Sequence, residues 1–238
     1  MTQTLNCSLL EWDSAFFGYN IARLYERHIH VDLLAQVFDW CQARDVRCLY
    51  YLAPADDAPS LFAAQMAGMQ FIDVRLTLGR EIVPGQSWIV GEAIGLATES
   101  DHAAIVALAP YLASVSRFSA DPRFGNEAAV RLYEAWLNKE VDVVLVVHVP
   151  TGVGGCITCN VEPDATGVID LLVVAPENTG RGLGQALCVA ALRWFADRGC
   201  TQVHVVTQGH NVASQRVYQR SGFVAHSVGI WFHKWFDF

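Results

Sequence analysis

The stretch Asn178–Phe195, NTGRGLGQALCVAALRWF, sets Gly180, Gly182 and Gly184 at every second position, with Arg181 between the first two. Each glycine costs conformational entropy on folding, so three so close together imply that bare backbone is needed there. The residues before them, VIDLLVVA (Val168–Ala175), read as a strand. Beyond them, Leu187, Ala190, Ala191, Trp194 and Phe195 recur at three- and four-residue spacing, which makes a helix with one buried stripe. A strand, a glycine turn and a helix start collect free N–H groups and the positive end of a helix dipole at one place. That is an anion site.

The spacing discriminates between anions. A P-loop needs a Lys after its glycines, and none is present. A dinucleotide fold needs G-x-G-x-x-G and an acid about 20 residues on. Here the spacing is G-x-G-x-G and the following strand ends VVTQGH (Val205–His210), without an acid. The option left is the pyrophosphate of coenzyme A, held by consecutive amides.

With those residues in view, the segment resembles the GNAT acyltransferases. Their [RQ]-x-x-G-x-[GA] motif reads here Thr179-Gly180-Arg181-Gly182-Leu183-Gly184, with Thr179 departing from the usual Arg or Gln. A second motif agrees. NVASQRVYQRSGF resembles the family's Asn-x-x-Ala-x-x-x-Tyr-x-x-x-Gly-Phe pattern at Asn211, Tyr218, Gly222 and Phe223, with Ala213 one position ahead of the pattern's Ala. Asn211 and Tyr218 are two helical turns apart and share a face.

The resemblance implies an α/β (mixed α+β) fold: a central, mostly antiparallel, splayed mixed sheet flanked by helices. It implies acetyl-CoA as acyl donor, bound by Leu172, Val173 and Val174 on the strand edge, by Asn178, Thr179, Gly180, Arg181, Gly182, Leu183 and Gly184 in the loop, and by Asn211. Tyr218 would be the general acid for the leaving thiolate, since a phenol of pKa ~10 matches a thiol. The oxyanion is expected at N–H groups around Leu172–Val174. Asp170 is the candidate base for the attacking amine.

LEWDSAFFGYNIARL (Leu10–Leu24), AGMQFIDVRLTL (Ala67–Leu78) and SRFSADPRF (Ser116–Phe124) look like the TDP-fucosamine acetyltransferase group. That likeness implies a nucleotide-sugar acceptor, dTDP-4-amino-4,6-dideoxy-D-galactose. Arg117 and Arg123 are candidates for its diphosphate, Phe118 and Phe124 for its base or sugar methyl, and Asp13 and Phe17 for the sugar pocket. A dTDP-3-amino sugar, a peptide N-terminus, an aminoglycoside or a polyamine stay open as acceptors, as does a CoA-binding module without turnover.

The rest of the chain bounds these readings. Its 238 residues are 53 % apolar and 17 % charged, enough for a real core, and the net charge of −8 argues against nucleic acid as partner. The N-terminal stretch lacks a signal-peptide pattern and no run suggests a membrane span, so a cytoplasmic protein is expected. Seven scattered cysteines read as reduced thiols; Cys156 and Cys159 lie on a strand, and no histidine spacing suggests a metal. The aromatic tail, with Trp231, Phe232, Trp235 and Phe236, and the family suggest a homodimer.

A shift of 154 residues aligns Leu33–Leu78 with the chain's end: Trp40 meets Trp194, Ser60 meets Ser214, Gly68 meets Gly222. The expected organisation is therefore a smaller, partial GNAT-like domain over 1–80, a linker over 81–87 and the acetyltransferase domain over 88–238. Glu26, His28 and His30 stand in the first copy where the glycines stand in the second, so the first copy should not bind the cofactor.

Overall fold

Three residues of extended chain, Cys7–Leu9 (β1), pair antiparallel with Asn20–Leu24 (β2). Between them Glu11–Phe17 coils into a short helix (α1), stopped by Gly18 in the left-handed region at φ +77°. Seven residues make too few turns for a period to show in sequence, and no helix was expected there. The computed structural model describes residues 5–83, 85–86, 88 and 94–237. The chain divides into two units, Met1–Arg75 with Ser227–Phe238, and Leu76–His226.

In the first unit a helix, Val31–Gln42 (α2), leads to the strand Val46–Pro54 (β3), which lies parallel to β2. A second helix, Ala58–Met66 (α3), leads to Gln70–Glu81 (β4), whose residues beyond Arg75 belong to the second unit. The remaining strand of the first unit comes from the far end of the chain. Residues of Val224–Trp235 (β10) pair antiparallel with β3, from Gly229 opposite Pro54 to Trp235 opposite Cys48. Leu34, Val37, Leu49, Tyr51 and Phe232 are buried together beneath α2 and α3.

This placement corrects the reading of the aromatic tail. Phe232 is 1 % exposed and Trp231 8 %, and Phe236 meets Phe38 edge to face at 5.5 Å. The tail packs within its own unit: Phe232 lies in the core beneath α2 and α3, and Trp231, on the opposite face of the strand, meets the Tyr50 ring edge to face at 6.5 Å. It offers no argument for a second subunit.

The second unit holds Ile94–Leu96 (β5), Val143–Val149 (β6), Gly152–Val161 (β7), Thr166–Val174 (β8) and Gln202–Gln208 (β9), in the order β4-β9-β8-β7-β6-β5. β5 to β8 run antiparallel; β8 and β9 are parallel. Of the strand expected at Ile89–Leu96, residues 89–93 lie outside the described residues, as do 84 and 87 of the expected linker. The long helix expected from Ser100 to Val115 is broken into His102–Val106 (α4) and Ala109–Ala113 (α5). Pro110 has no N–H to continue a helix and clashes with the preceding turn. The expected polar loop contains one helical turn, Arg117–Ala120 (α6), capped by Ser116 Oγ accepting from Ser119 N–H at 3.2 Å. Asn126–Leu137 (α7), Leu183–Ala196 (α8) and Val212–Arg220 (α9) complete the helices described. One face of α8 buries Leu187, Ala191, Trp194 and Phe195, the stripe expected from its periodicity, against Ile157, Ile169 and Val205.

The internal echo extends to the elements. Shifted by 154 residues, α3 coincides with α9 and β4 with β10, end for end. Asp57 caps α3 by accepting from Ser60 N–H, and Asn211 caps α9 by accepting from Ser214 N–H. Gly68 and Gly222, after the two helices, both take positive φ.

Candidate active site

β8 and β9 are paired from Thr166–Gln202 to Ile169–Val205 and no farther. β8 nevertheless runs on to Val174 and β9 to Gln208, so the two strands part. Along Asp170–Val174, β8 keeps only its β7 neighbour, with Leu172 opposite Ile157 and Val174 opposite Gly155. Every second N–H and C=O of this stretch then faces the gap left by β9. Gly155 is required by the close fit: a Cβ there would lie 2.6 Å from the Val173 carbonyl oxygen.

The register shifts between Thr158 and Cys159, leaving Asp170 as the extra residue of β8. Leu171 N–H donates to Thr158 Oγ1 at 3.1 Å instead of to the ladder. A bulge bends the strand and re-aims side chains. Asp170 thus lies at a kink within the strand, and its carboxylate accepts from Asn160 Nδ2. Desolvation raises the Asp170 carboxyl above its usual range, against the lowering effects of the Asn160 bond and of Lys139; Asp142 and Glu162 add to the rise.

Past Val174, a tight turn over Pro176–Asn178 delivers the glycine loop. Gly180 and Gly182 have φ +75° and +78°, where a side chain would be strained. Gly184 is different: a Cβ there would sit 3.3 Å from Val217 Cγ2 and 3.6 Å from Val174 Cγ2, so it lets α8 pack close to α9 and β8. Gly182 caps α8 without a side-chain bond, and the helix's repeating pattern opens with Ala186 N–H to the Gly182 carbonyl. The N–H groups of the first turn are left for something else. In the first unit the matching helix, α2, is closed by its own residue: His30 Nδ1 accepts from Leu33 N–H at 3.2 Å.

The loop's side chains brace it. Arg181 Nη1 donates to Asn178 Oδ1 at 2.8 Å, and Thr179 Oγ1 donates to the Pro176 carbonyl at 2.8 Å. Asn178 is 4 % exposed, and its Nδ2 is buried without a hydrogen-bond partner among the described residues.

Tyr218, on α9 directly after Val217, is 3 % exposed, with Phe223 edge to face at 5.7 Å. Burial drives its phenol far above the ordinary value, and the neighbouring Cys188 and Cys159 add to the effect. Cys159 also feels Asp170. The β7 thiol therefore lies within electrostatic reach of both residues expected to move protons. Sequence reasoning missed this cysteine shell, and also the bulge, which no residue type announces. All seven cysteines are free; burial pushes Cys156 up to about 12 and Cys188 up to about 11, as expected of inert thiols. Among the described residues there is no cluster suited to a metal ion.

The other expected residues are placed differently. Asn211 uses its side-chain oxygen to cap α9. Phe118 and Phe124 are 2 % and 7 % exposed and meet edge to face at 5.3 Å, with Trp136 at 6.0 Å from Phe118. Their rings build core and present no face to a base or sugar methyl. Arg117 lays its guanidinium 4.2 Å over the Phe118 ring, and Arg123 N–H donates to Asp121 Oδ1. Asp13 and Phe17 lie on α1 in the first unit, where Phe17 joins an aromatic row with Phe16 and Tyr19.

Residues 118–223 match the model of the Acetyltransferase (GNAT) family. Over these residues the chain is similar to the GNAT acetyltransferases. A GCN5-related N-acetyltransferase from Sphaerobacter thermophilus has a similar fold, with a TM-score of 0.64 at 15 % identity over 96 % of this chain and 76 % of that one. A tandem GNAT protein from the clavulanic acid biosynthesis pathway gives 0.58 at 14 % identity over 92 % and 76 %. By sequence, the mycothiol acetyltransferase of Saccharopolyspora erythraea is 38 % identical over 72 residues, 30 % of this chain and 24 % of that protein. The spore coat polysaccharide biosynthesis protein SpsD of Bacillus subtilis is 25 % identical over 145 residues, 60 % and 50 % respectively. The chain thus spans half or less of these curated relatives. The GNAT segment begins at α6 and contains both the parted strands and the loop. No helix among the described residues is long and apolar enough to cross a membrane.

Proposed function

We propose that the chain is an N-acetyltransferase that moves an acetyl group from acetyl-CoA to the amine of a dTDP-linked amino-dideoxyhexose in cell-surface polysaccharide biosynthesis. The favoured acceptor is dTDP-4-amino-4,6-dideoxy-D-galactose. The observation that carries the reading is the unpaired edge of β8 leading into an uncapped helix N-terminus.

The residues present fit the donor. Gly180, Gly182 and the first turn of α8 would hold its pyrophosphate through N–H groups, and the orphaned Asn178 Nδ2 is a further donor at the same place. The exposed edge at Leu172–Val174 would pair with its amide-bearing arm as a further strand. Acetyl-CoA supplies the thioester; the chain supplies orientation and proton transfer. Asp170, with its raised pKa, keeps affinity for the amine's proton, directly or through water. Tyr218 stays protonated at neutral pH and has a proton to give to sulfur. N–H groups of Leu172–Val174 aim at the developing oxyanion.

The acceptor is supported by the likeness of Leu10–Leu24, Ala67–Leu78 and Ser116–Phe124 to the TDP-fucosamine group, and by the similarity to SpsD, a spore coat polysaccharide biosynthesis protein. Arg117 and Arg123 are proposed for the diphosphate. A second acceptor is favoured by the 38 % identity to a mycothiol acetyltransferase, namely the desacetyl form of mycothiol. The test is release of free thiol from acetyl-CoA with dTDP-4-amino- and dTDP-3-amino-6-deoxyhexoses and desacetyl mycothiol side by side. Turnover with the 4-amino sugar at least about ten-fold above the others supports the proposal; turnover with none of them sinks it.

A further inference from the structure

Asn160 lies on β7 opposite Val168, two residues before the kink at Asp170. Its neighbours Cys159 and Val161 pack in the core with α8. Successive side chains of a strand alternate, so Asn160 projects from the other face of the sheet. It is half-buried and makes two hydrogen bonds there. Its Oδ1 accepts from Asp142 N–H at 2.9 Å, and its Nδ2 donates to Asp170 Oδ2.

A main-chain N–H can only donate, which settles the orientation of this amide: oxygen toward Asp142, NH2 toward β8. The Asp142 carboxylate returns the contact by accepting from Val161 N–H at 2.7 Å. The two residues lock each other at the start of the β6–β7 ladder, next to Val143 opposite Cys159. Asp170 is thereby held at two points. Thr158, 2 % exposed, fixes the bulge of its backbone through Leu171 N–H, and Asn160 fixes its carboxylate.

An exposed aspartate is otherwise free to turn about its side-chain bonds. Among the described residues Asn160 is the one hydrogen-bond donor to the Asp170 carboxylate, and Oδ1 accepts from none of them. Donation to a carboxylate favours its ionised form. Lys139 acts in the same direction, and Asp142 and Glu162 act against it. β7 also brings Cys159, and α8 brings Cys188 to Cys159 on the core face. His204 of β9 stands opposite Val168, and α5, also packed on β8, carries no charged residue.

We propose that Asn160 is the positioning residue of the acetyl-transfer base: it holds Asp170 Oδ2, keeps the carboxylate ionised and leaves Oδ1 to take the amine's proton. This rests on the reading of Asp170 as that base. The N–H bond that breaks leaves its electron pair on nitrogen for attack on the thioester. The proton passes to Oδ1, directly or through water, and from there to solvent. Asn160 itself does not touch the reacting atoms. It acts by fixing which oxygen is presented and in which charge state.

Two measurements on the whole chain test this. The first is a carbon-13 NMR titration of the aspartate carboxyls, with the Asp170 signal assigned by its loss in Asp170→Asn. Asn160→Ala should raise the Asp170 midpoint by about half a pH unit or more. Asn160→Asp should raise it further, because a carboxylate of the same shape replaces the donor. Asp142→Asn keeps an oxygen for Val161 N–H but removes a negative charge, so it should lower the midpoint. Opposite signs from adjacent residues separate a specific contact from general loosening. The second measurement is kcat/KM against pH with acetyl-CoA and the 4-amino sugar. In Asn160→Ala the acid limb should move up with the midpoint, and kcat should fall about ten-fold with KM for acetyl-CoA unchanged. Thermal melts report folding; should Asn160→Ala fail to fold, Asn160→Asp carries both measurements. A midpoint unmoved by loss of the donor overturns the positioning itself, whatever the activity. A midpoint that moves while the acid limb stays overturns the catalytic role, and locates the failure in the reading of Asp170 as base.

Discussion

Tyr218 was legible from its place in the second motif, but its environment was not. The structure puts it among Cys159, Cys188 and Phe223, and that desolvation decides its protonation. If it protonates the leaving sulfur, Tyr218→Phe keeps the ring contact with Phe223 and removes only the proton. The expected outcome is a kcat lower by about 10²-fold with KM for acetyl-CoA unchanged, read from steady-state kinetics. Asp170 has the opposite requirement, since a base must be ionised. Its raised pKa means that kcat/KM falls as pH drops through a value above the ordinary carboxylate range. A pH profile of Asp170→Asn should lose that acid limb along with most of the activity; an unchanged limb would assign the base elsewhere. Thr179, the departure from the family pattern, ties its hydroxyl to the Pro176 carbonyl. If the loop binds through backbone N–H groups, as proposed, a Thr in place of Arg or Gln leaves those donors in place.

At the scale of elements, the loop and α9 carry separable costs. Gly182→Ala forces a side chain into the left-handed region, worth roughly 1–2 kcal/mol. A drop in melting temperature of several degrees is expected, together with weaker acetyl-CoA binding by calorimetry. Asn211 was expected to contact the cofactor, yet its oxygen caps α9. Asn211→Ala should cost about 1 kcal/mol in urea unfolding, and Asn211→Asp should restore it, because either side chain caps a helix. Were Asn211→Asp to restore stability but not acetyl-CoA affinity, the amide would have a second role at the site. The Ser100–Val115 segment shows the limit of periodicity: its apolar spacing was read as one helix, and Pro110 split it.

For the whole molecule, chain order and spatial order differ. Ser227–Phe238 closes the sheet of the first unit, and residues beyond Arg75 supply a strand to the second. Phe232, 1 % exposed in the first unit's core, is more than 150 residues away along the chain from its partners Leu34, Val37 and Leu49. Phe232→Ala should destabilise by about 3–5 kcal/mol in denaturant unfolding. Its loss should loosen the first unit first, which amide exchange resolved by peptide would show.

Most of the order of helices and strands, the repeat at 154 residues and the glycine loop were set locally, by glycine, by capping residues and by apolar period. These act over a few residues and are written in the sequence. Three other features were decided only by tertiary structure: the parting of β8 from β9 beyond Ile169, the bulge at Asp170 and the docking of the chain's last strand on β3. Each depends on which backbone hydrogen bonds are made between distant segments, and main-chain pairing leaves no mark in the identity of the residues that make it.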